Sequence, residues 1–233
     1  MRVVLFGSTS MVGQGVLREC LLDPDVEGVL SIVRSASGQQ HEKLHELVHE
    51  DFFDFSNVDD KISGYDACFF CLGVSSAGMK EEDYRRVTYD LTMAAAQALV
   101  ARNPNMTFIY VSGAGTDSSE QGRIMWARVK GKTENALLRL PFKATYMFRP
   151  GFIQPLHGIK SRTGLYRALY SLTGPFYPLS KTIAPRLVMT TEQVGRAMIK
   201  VAKQGAPKQL LENQDIRILS ADGDGPPADL RSE

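Results

Sequence analysis

Short apolar runs alternate along the chain with longer stretches in which apolar residues recur at helical spacing. The first run extends from Val3 to Phe6, is rich in β-branched residues, and ends at Gly7. Apolar residues then return at Val12, Val16 and Leu17, which predicts a helix over about 12–22. The chain therefore begins with a strand, a glycine turn and a helix.

The same alternation continues to about residue 219. It predicts further strands over 29–33, 47–53, 67–72, 106–111, 142–148 and 210–219. It also predicts helices over 81–102, around 126–137 and from Thr190 onward. Strands that alternate with helices in this way predict an α/β fold, namely a Rossmann-type doubly wound parallel β-sheet with helices on both faces and a small C-terminal substrate region. We expect a single NAD(P)-binding domain over 1–220, with 152–189 as a substrate or lid insertion, and a flexible tail over 221–233.

The first turn carries the chemistry of a phosphate-binding loop. A helix N-terminus presents unpaired N–H groups and a partial positive charge, which suit a pyrophosphate. Gly7 permits a tight turn, Gly13 lets the helix approach the strand, and Ser10 replaces a usual third glycine but could donate its hydroxyl to a phosphate oxygen. The cofactor-binding residues predicted here are Gly7, Thr9, Ser10, Met11, Val12 and Gly13. The alternative is an ordinary buried strand and helix joined by a glycine turn.

The residue at the end of the second predicted strand bears on cofactor choice. An acidic residue there accepts from the 2′-hydroxyl of NAD, whereas an arginine accommodates the 2′-phosphate of NADP. Because Arg34 stands at this position beside Ser35, the sequence predicts NADP(H) rather than NAD(H); a solvated surface arginine is the alternative. Other predicted cofactor-binding residues follow later strands: Asp54, Phe55, Leu72, Gly73, Val74, Lys130, Pro150 and Gly151.

Two other motifs suggest a metal site or a redox pair. Residues 41–45 and 45–49 both fit H-E-x-x-H, which on a helix would place two histidines on one face for zinc. In a strand that geometry disappears, and we predict no metal site. Cys68 and Cys71 are three apart in a predicted strand and should therefore point to opposite faces, which disfavours a redox pair.

The composition and the charge distribution of the chain limit the kinds of protein that it can be. With 43% hydrophobic residues, 23% charged residues and a net charge of +1, the chain is typical of a globular protein and gives no general argument for nucleic-acid binding. Met1 leads directly into a strand and no apolar run is long enough to span a membrane, so we expect a cytoplasmic protein. Residues 135–191 contain eight lysines or arginines and no acid. They form either a solvated basic face or contacts to anionic phosphates or substrate, and their aromatic residues would line a substrate pocket or a homodimer contact, with a membrane surface ranked lower.

Several motifs, in their order and spacing, resemble those of the atypical short-chain dehydrogenase/reductases. The chain is most similar to the branch of Tat-interacting oxidoreductase proteins and sugar-nucleotide epimerase-like proteins, from Val3 to about Leu219. The motifs are Gly7-x-x-Ser10-x-x-Gly13, Asp54-Phe55, Tyr65-Asp66 through Cys71-Leu72-Gly73, Val111-Ser112-Gly113, Val129-Lys130-Gly131-Lys132-Thr133-Glu134 and Phe148-Arg149-Pro150-Gly151. The resemblance implies a Rossmann-type sheet, NAD(P) binding and a small C-terminal substrate region.

The resemblance also implies an active site of Ser, Tyr and Lys, in which the Tyr exchanges a proton with substrate. Ser112 and Lys130 match, but Trp126 stands in the Tyr position, and an indole does not exchange a proton near neutral pH. Compensating phenols could come from elsewhere in the chain: Tyr84, Tyr89 and Tyr110. Two hypotheses follow. The chain is an NADP(H)-dependent oxidoreductase or epimerase with an altered acid/base group and an unidentified small-molecule substrate, or it is an inactive NADP(H)-responsive regulator or scaffold.

Overall fold

A computed structural model describes residues 1–159 and 188–221. The strands are Arg2–Phe6 (β1), Gly28–Val33 (β2), Leu44–Val48 (β3), Ala67–Phe70 (β4), Thr107–Val111 (β5), Ala144–Arg149 (β6), Phe152–Gln154 (β7), Val188–Thr190 (β8) and Leu210–Glu212 (β9). The α-helices are Met11–Leu22 (α1), Glu81–Arg85 (α2), Leu91–Arg102 (α3), Met125–Leu137 (α4), Thr191–Gln204 (α5) and Asn213–Leu219 (α6). A 3₁₀ helix covers Ser56–Ile62, and a π-helical segment, Arg86–Asp90, joins α2 to α3.

Seven strands form one parallel sheet in the order β3-β2-β1-β4-β5-β6-β9. The strand order reverses direction between β1 and β4, so a crevice opens at the carboxyl ends of these two strands. The predicted Rossmann-type fold is confirmed. β7 and β8 pair in parallel as a separate two-stranded sheet.

The sheet is covered on both faces. Val3 and Leu5 face a core shared with α1, α5 and α6, whereas Val4 and Phe6 face a core shared with α3 and α4. All four side chains are fully buried, which explains why β1 reads as a continuous apolar run. Cys68 and Cys71 lie in opposite cores, as the strand geometry predicted.

The third strand lies earlier in the chain than its sequence pattern predicted. β3 pairs in register with β2 over 44–48, and the predicted range of 47–53 is wrong. The aromatic residues beyond it, Phe52 and Phe55, instead turn back and contact Phe6, with ring centroids 6.0 Å away in both pairs. Because 44–48 is a strand, the H-E-x-x-H motifs do not lie on a helix and lack the zinc-binding geometry.

The predicted strand over 210–219 is also wrong beyond Glu212. A capping box starts α6 there, in which the Glu212 N–H donates to Asp215 Oδ2 at 2.8 Å. Ile216 and Leu219 are then buried on one helical face. The predicted helix over 81–102 is present but is interrupted by the π-helical segment.

None of the helices in the described ranges is long and apolar enough to cross a membrane. Most of the predicted insertion over 152–189 lies outside the described residues, apart from its flanks around β7 and β8. The predicted tail also lies outside them beyond Ala221.

Candidate functional site

A cleft of about 450 Å³ lies at the carboxyl ends of β1, β4, β5 and β6. It occupies the topological switch point, where open α/β sheets bind their ligands, and its volume is in the range of small-molecule sites. The residues that line it come from the loops after β1, β4, β5 and β6, from the start of α1, from the residue after β2, from the end of β5, from α4 and from β7: Gly7, Thr9, Ser10, Met11, Val12, Arg34, Cys71, Leu72, Gly73, Val74, Ser75, Val111, Ser112, Gly113, Lys130, Pro150, Gly151 and Ile153. Most of the predicted site residues are thus brought together.

The turn between β1 and α1 depends on two glycines. Gly7 has a φ of +79°, and a Cβ there would lie 2.7 Å from the backbone of Cys71. A Cβ on Gly13 would lie 2.0 Å from the carbonyl oxygen of Gly7. Neither position accepts a side chain without moving backbone, so the N-terminus of α1 stays open at the floor of the cleft.

Ser10 serves the helix rather than pointing its proton into the cleft. The Gly13 N–H donates to Ser10 Oγ at 3.0 Å, which caps α1. The Ser10 hydroxyl in turn donates to the Cys71 carbonyl at 3.2 Å. Donation from this hydroxyl to a phosphate oxygen, which the sequence suggested, would require that bond to break. The backbone N–H groups of the first turn remain the feature of this turn that suits an anion, and the first turn of α1 contains no acidic residue.

The residues predicted to contact an adenosine are only partly brought together. Arg34 is exposed and lines the cleft, whereas Ser35, Asp54 and Phe55 are not among its lining residues. Phe55 is buried against the His49 and Phe52 rings instead. A second cavity of about 230 Å³ shares Thr9 with the cleft and is lined by the polar and apolar residues Ser8, Gln14, Leu17, Ser37 and Gln39.

Ser112 is held by a buried ionic cluster. Its hydroxyl is 2.5 Å from Glu134 Oε1 and 3.1 Å from the Phe148 carbonyl. Glu134 is 0% exposed, and Arg149 pairs with both of its oxygens, with Nε donating to Oε1 at 3.0 Å and Nη2 donating to Oε2. Arg149 also contacts Glu212 Oε1 at 3.2 Å. We call Ser112, Glu134, Arg149 and Glu212 the acidic–basic cluster.

Lys130 lies on α4, one turn before Glu134, and reaches the cleft wall. Its ammonium donates to the carbonyl oxygen of Ser112. Burial lowers the pKa of Lys130 to about 8, although the nearby carboxylate of Glu134 acts in the opposite direction. The amine and ammonium forms of Lys130 therefore coexist near neutral pH, as proton exchange requires.

Trp126 and the three tyrosines do not line the described part of the cleft. Trp126 presents Cη2 to Gly115, where it would lie 3.6 Å from a Cβ added to that glycine. Tyr84 and Tyr110 are buried, and burial raises the pKa of the Tyr110 phenol. The Tyr89 ring instead faces Lys132 Nζ at 5.2 Å.

Glu134 has no role predicted from the sequence, and Arg149, which belongs to the basic segment 135–191, pairs with Glu134 and Glu212 rather than forming part of a solvated face. A signal was present, because Glu134 follows Lys130 by four residues on a predicted helix and therefore shares its face. Such a pair on a helix ordinarily indicates a solvated surface. The arginine on the neighbouring strand, at the end of β6, compensates the buried carboxylate, and a single sequence does not reveal that contact.

Comparison with known proteins identifies relatives over most of the chain. It is 26% identical to the protein HTATIP2 of Rattus norvegicus over 229 residues, which covers 96% of this chain and 91% of that protein. It is 27% identical to the mitochondrial protein FMP52-2 of Scheffersomyces stipitis, over 64% of this chain and 65% of that protein, just under two thirds of its length. No protein-family model matches the chain. FMP52-2 is a mitochondrial protein by name, whereas the cytoplasmic location expected for this chain stays a prediction.

Solved structures with the same fold include an NAD⁺-bound enzyme and an oxidoreductase. The WbmF enzyme of Bordetella bronchiseptica, in complex with NAD⁺, has a TM-score of 0.63 at 14% identity, over 93% of this chain and 76% of that one. An oxidoreductase of the short-chain dehydrogenase/reductase family from Burkholderia thailandensis has a TM-score of 0.64 at 14% identity, over 93% and 92%. At these identities the structural likeness shows the fold alone. Together with the sequence relatives, it confirms the predicted resemblance to the atypical short-chain dehydrogenase/reductases.

Proposed function

We propose that the cleft binds a nicotinamide dinucleotide, NADP(H) in preference to NAD(H), and that the chain catalyses hydride transfer at an oxygen-bearing carbon of a small molecule. This is the redox step that an oxidoreductase and an epimerase of this kind share. The observation that carries the proposal is the cleft itself, where the open N-terminus of α1, Arg34 and Lys130 line one continuous site at the switch point of the sheet. The nicotinamide, when bound, would supply or accept the hydride.

The shape of the first turn supports the pyrophosphate position. At Gly7 and Gly13 an added Cβ would strike backbone at 2.7 Å and 2.0 Å, so the chain keeps its backbone N–H groups accessible from the cleft. The complex of WbmF with NAD⁺ is a precedent for a dinucleotide on the same fold. The helix dipole and unpaired N–H groups would hold the two phosphates.

The charge around the end of β2 supports the preference for NADP(H). Arg34 is the first residue after the strand, and the following loop to residue 41 contains no acid that would accept from a ribose 2′-hydroxyl. The nearby carboxylate of Glu46 accepts instead from the Ser37 N–H, at 3.0 Å. A 2′-phosphate beside Arg34 would gain a charge-assisted, bidentate contact that NAD lacks.

A second candidate function is NADP(H)-dependent regulation without turnover. It is favoured by Trp126 at the family's Tyr position and by the absence of any phenol from the described lining of the cleft. In that case the cofactor would bind and change a partner contact or the oligomeric state, but would not be oxidised.

Calorimetric titration with NADPH and with NADH tests the cofactor assignment. We expect tighter binding of NADPH, and Arg34→Ala should weaken it about tenfold or more while changing NADH affinity less than about threefold. Arg139→Ala, which removes an exposed arginine just beyond α4, is the matched control and should bind like the wild type. Failure to bind either nucleotide would overturn the proposal. NADPH oxidation at 340 nm with carbonyl probes then separates catalysis from regulation.

A further inference from the structure

We infer that Lys130 is the group that exchanges a proton with the substrate oxygen, an inference that rests on the proposed function. The backbone carbonyl of Ser112 positions Lys130, and the Ser112 hydroxyl does not donate to the substrate. In the dehydrogenases that this chain resembles, a Tyr exchanges the proton with the substrate and the Lys has a supporting role. The geometry of this chain reverses that division. Three observations carry the inference: the place of the Ser112 proton, the place of the Lys130 ammonium, and the composition of the cleft lining.

The single proton of Ser112 is already committed. Its hydroxyl is 2.5 Å from Glu134 Oε1, a separation typical of a hydrogen bond to a charged carboxylate. The second acceptor within reach, the Phe148 carbonyl, also lies inside the fold. Arg149 pairs with both oxygens of Glu134 and so holds this carboxylate in place. Ser112 therefore offers only lone pairs to a ligand in the cleft.

Lys130 occupies the position that a proton donor needs. It lines the cleft, and its ammonium donates to the Ser112 carbonyl, which fixes the end of the side chain against β5. An ammonium has three N–H groups, so this bond leaves others for a ligand oxygen. The Ser112 carbonyl thus holds the Lys130 ammonium at the cleft. The Ser112 hydroxyl cannot take over as proton donor, because its proton goes to Glu134.

Among the lining residues that the structure describes, the other titratable groups are Arg34 and Cys71. An arginine does not lose its proton in this pH range. Burial raises the pKa of the Cys71 thiol, which keeps it neutral. Of the charged groups facing Lys130, Glu134 lies on the same helix, and Arg149 reaches that carboxylate from β6. Burial outweighs the attraction of Glu134 and lowers the pKa of Lys130 to about 8.

The proposed step balances in both directions. In reduction, a bound dihydronicotinamide would supply the hydride for the new C–H bond at the carbonyl carbon, and the C=O π pair would move to the oxygen. That oxygen takes a proton from the Lys130 ammonium, which becomes an amine and is reprotonated from solvent. The carbonyl gains two electrons and the dihydronicotinamide loses two. In alcohol oxidation the neutral amine removes the hydroxyl proton as the hydride leaves.

The test measures NADPH oxidation with 4-nitrobenzaldehyde and 9,10-phenanthrenequinone between pH 6 and pH 10. For the wild type we expect kcat to be level below about pH 8 and to fall about tenfold per pH unit above it. Lys130→Arg keeps the positive charge but does not titrate, so kcat should fall about 100-fold or more and lose the descending limb, with NADPH affinity within about threefold. Lys132→Arg, the same exchange two residues on, is the matched control and should keep the wild-type profile.

A second variant tests whether activity is lost because the proton donor is missing or only because the structure of the site is disturbed. Lys130→Ala should be rescued by ethylamine, with a rate that increases with the concentration of the ethylammonium form. Lack of rescue, or a descending limb near pH 8 that persists in Lys130→Arg, would overturn the assignment of Lys130 while leaving hydride transfer intact. A wild type that binds NADPH but reduces neither probe would overturn the redox function and this inference together. Absence of NADPH binding would overturn the cofactor site itself.

Discussion

Replacing Glu134 with glutamine should weaken the fold much more than an ordinary loss of an ion pair. The carboxylate is fully buried, with Arg149 on both oxygens and Ser112 on one. Glutamine keeps the shape but removes the charge, and its amide N–H groups would face donors from Arg149 or Ser112. The arginine, itself mostly buried, would then keep its contacts to Glu212 and Ser118 and at most one hydrogen bond, to the amide oxygen.

The magnitude follows from this burial. Breaking a buried pair by removing one partner costs about 3–5 kcal/mol, because an uncompensated charge stays inside the protein. Arg149 retains Glu212, which is half exposed, so we expect a loss near the lower end, about 3 kcal/mol. With a urea dependence of about 2–3 kcal/mol per molar, the unfolding midpoint should fall by about 1 M.

Urea unfolding followed by circular dichroism measures this loss, and Glu81→Gln is the matched control. Glu81 pairs with Arg128 at 2.6 Å, in a similarly close contact, but Glu81 is 50% exposed. Its substitution should cost less than about 1 kcal/mol, since exposed ion pairs contribute little. If Glu134→Gln loses no more stability than Glu81→Gln, the acidic–basic cluster does not hold this end of the sheet together.

Gly13→Ala should lower the stability of the fold by about 2 kcal/mol or more and weaken NADPH binding in calorimetry, because its Cβ would lie 2.0 Å from the Gly7 carbonyl oxygen; wild-type stability and affinity would refute the close approach. NMR of ¹³Cε-labelled lysine, assigned by loss of the signal in Lys130→Arg, should give Lys130 a pKa of about 8, and a value near 10.5 would contradict its burial. Because this folded-state pKa lies below the unfolded value, the ammonium destabilises the fold fully below pH 8, and the penalty disappears as pH rises towards 10.5. Lys130→Met should therefore be more stable than the wild type by about 1–2 kcal/mol at pH 7, after allowance for the lost hydrogen bond to Ser112. In thermal unfolding this difference should shrink towards pH 10. A Lys130→Met variant that is less stable than the wild type at pH 7 would refute this.

The parts of the fold that were predictable from sequence are those with a strong local pattern. β1 and β5 are apolar beyond their first residue because both of their faces are buried, and the glycine turn after β1 has a local steric cause. The third strand was misplaced because Phe52 and Phe53 look like strand residues, yet Phe52 lies in a loop and packs back on Phe6 together with Phe55. Their hydrophobicity was visible in the sequence, but the direction of the chain was not.

The candidate site was predictable at the level of its lining but not of its hydrogen bonds. Ser112 and Lys130 were found from the family's motifs, and both line the cleft. Where their protons go depends on Glu134 and Arg149, which approach each other from a helix and a strand 15 residues apart. Side-chain capping likewise decided the last element in the described residues, because the Glu212–Asp215 pair starts a helix where apolar residues suggested a strand.

A crystal structure of the protein grown with NADPH would show whether the cleft is the cofactor site. We predict the pyrophosphate at the N-terminus of α1, about 3 Å from its first backbone N–H groups, the 2′-phosphate beside Arg34, and the nicotinamide next to Lys130. Electron density for the nucleotide outside this cleft, or in it with the adenosine end at Lys130, would contradict the proposed function.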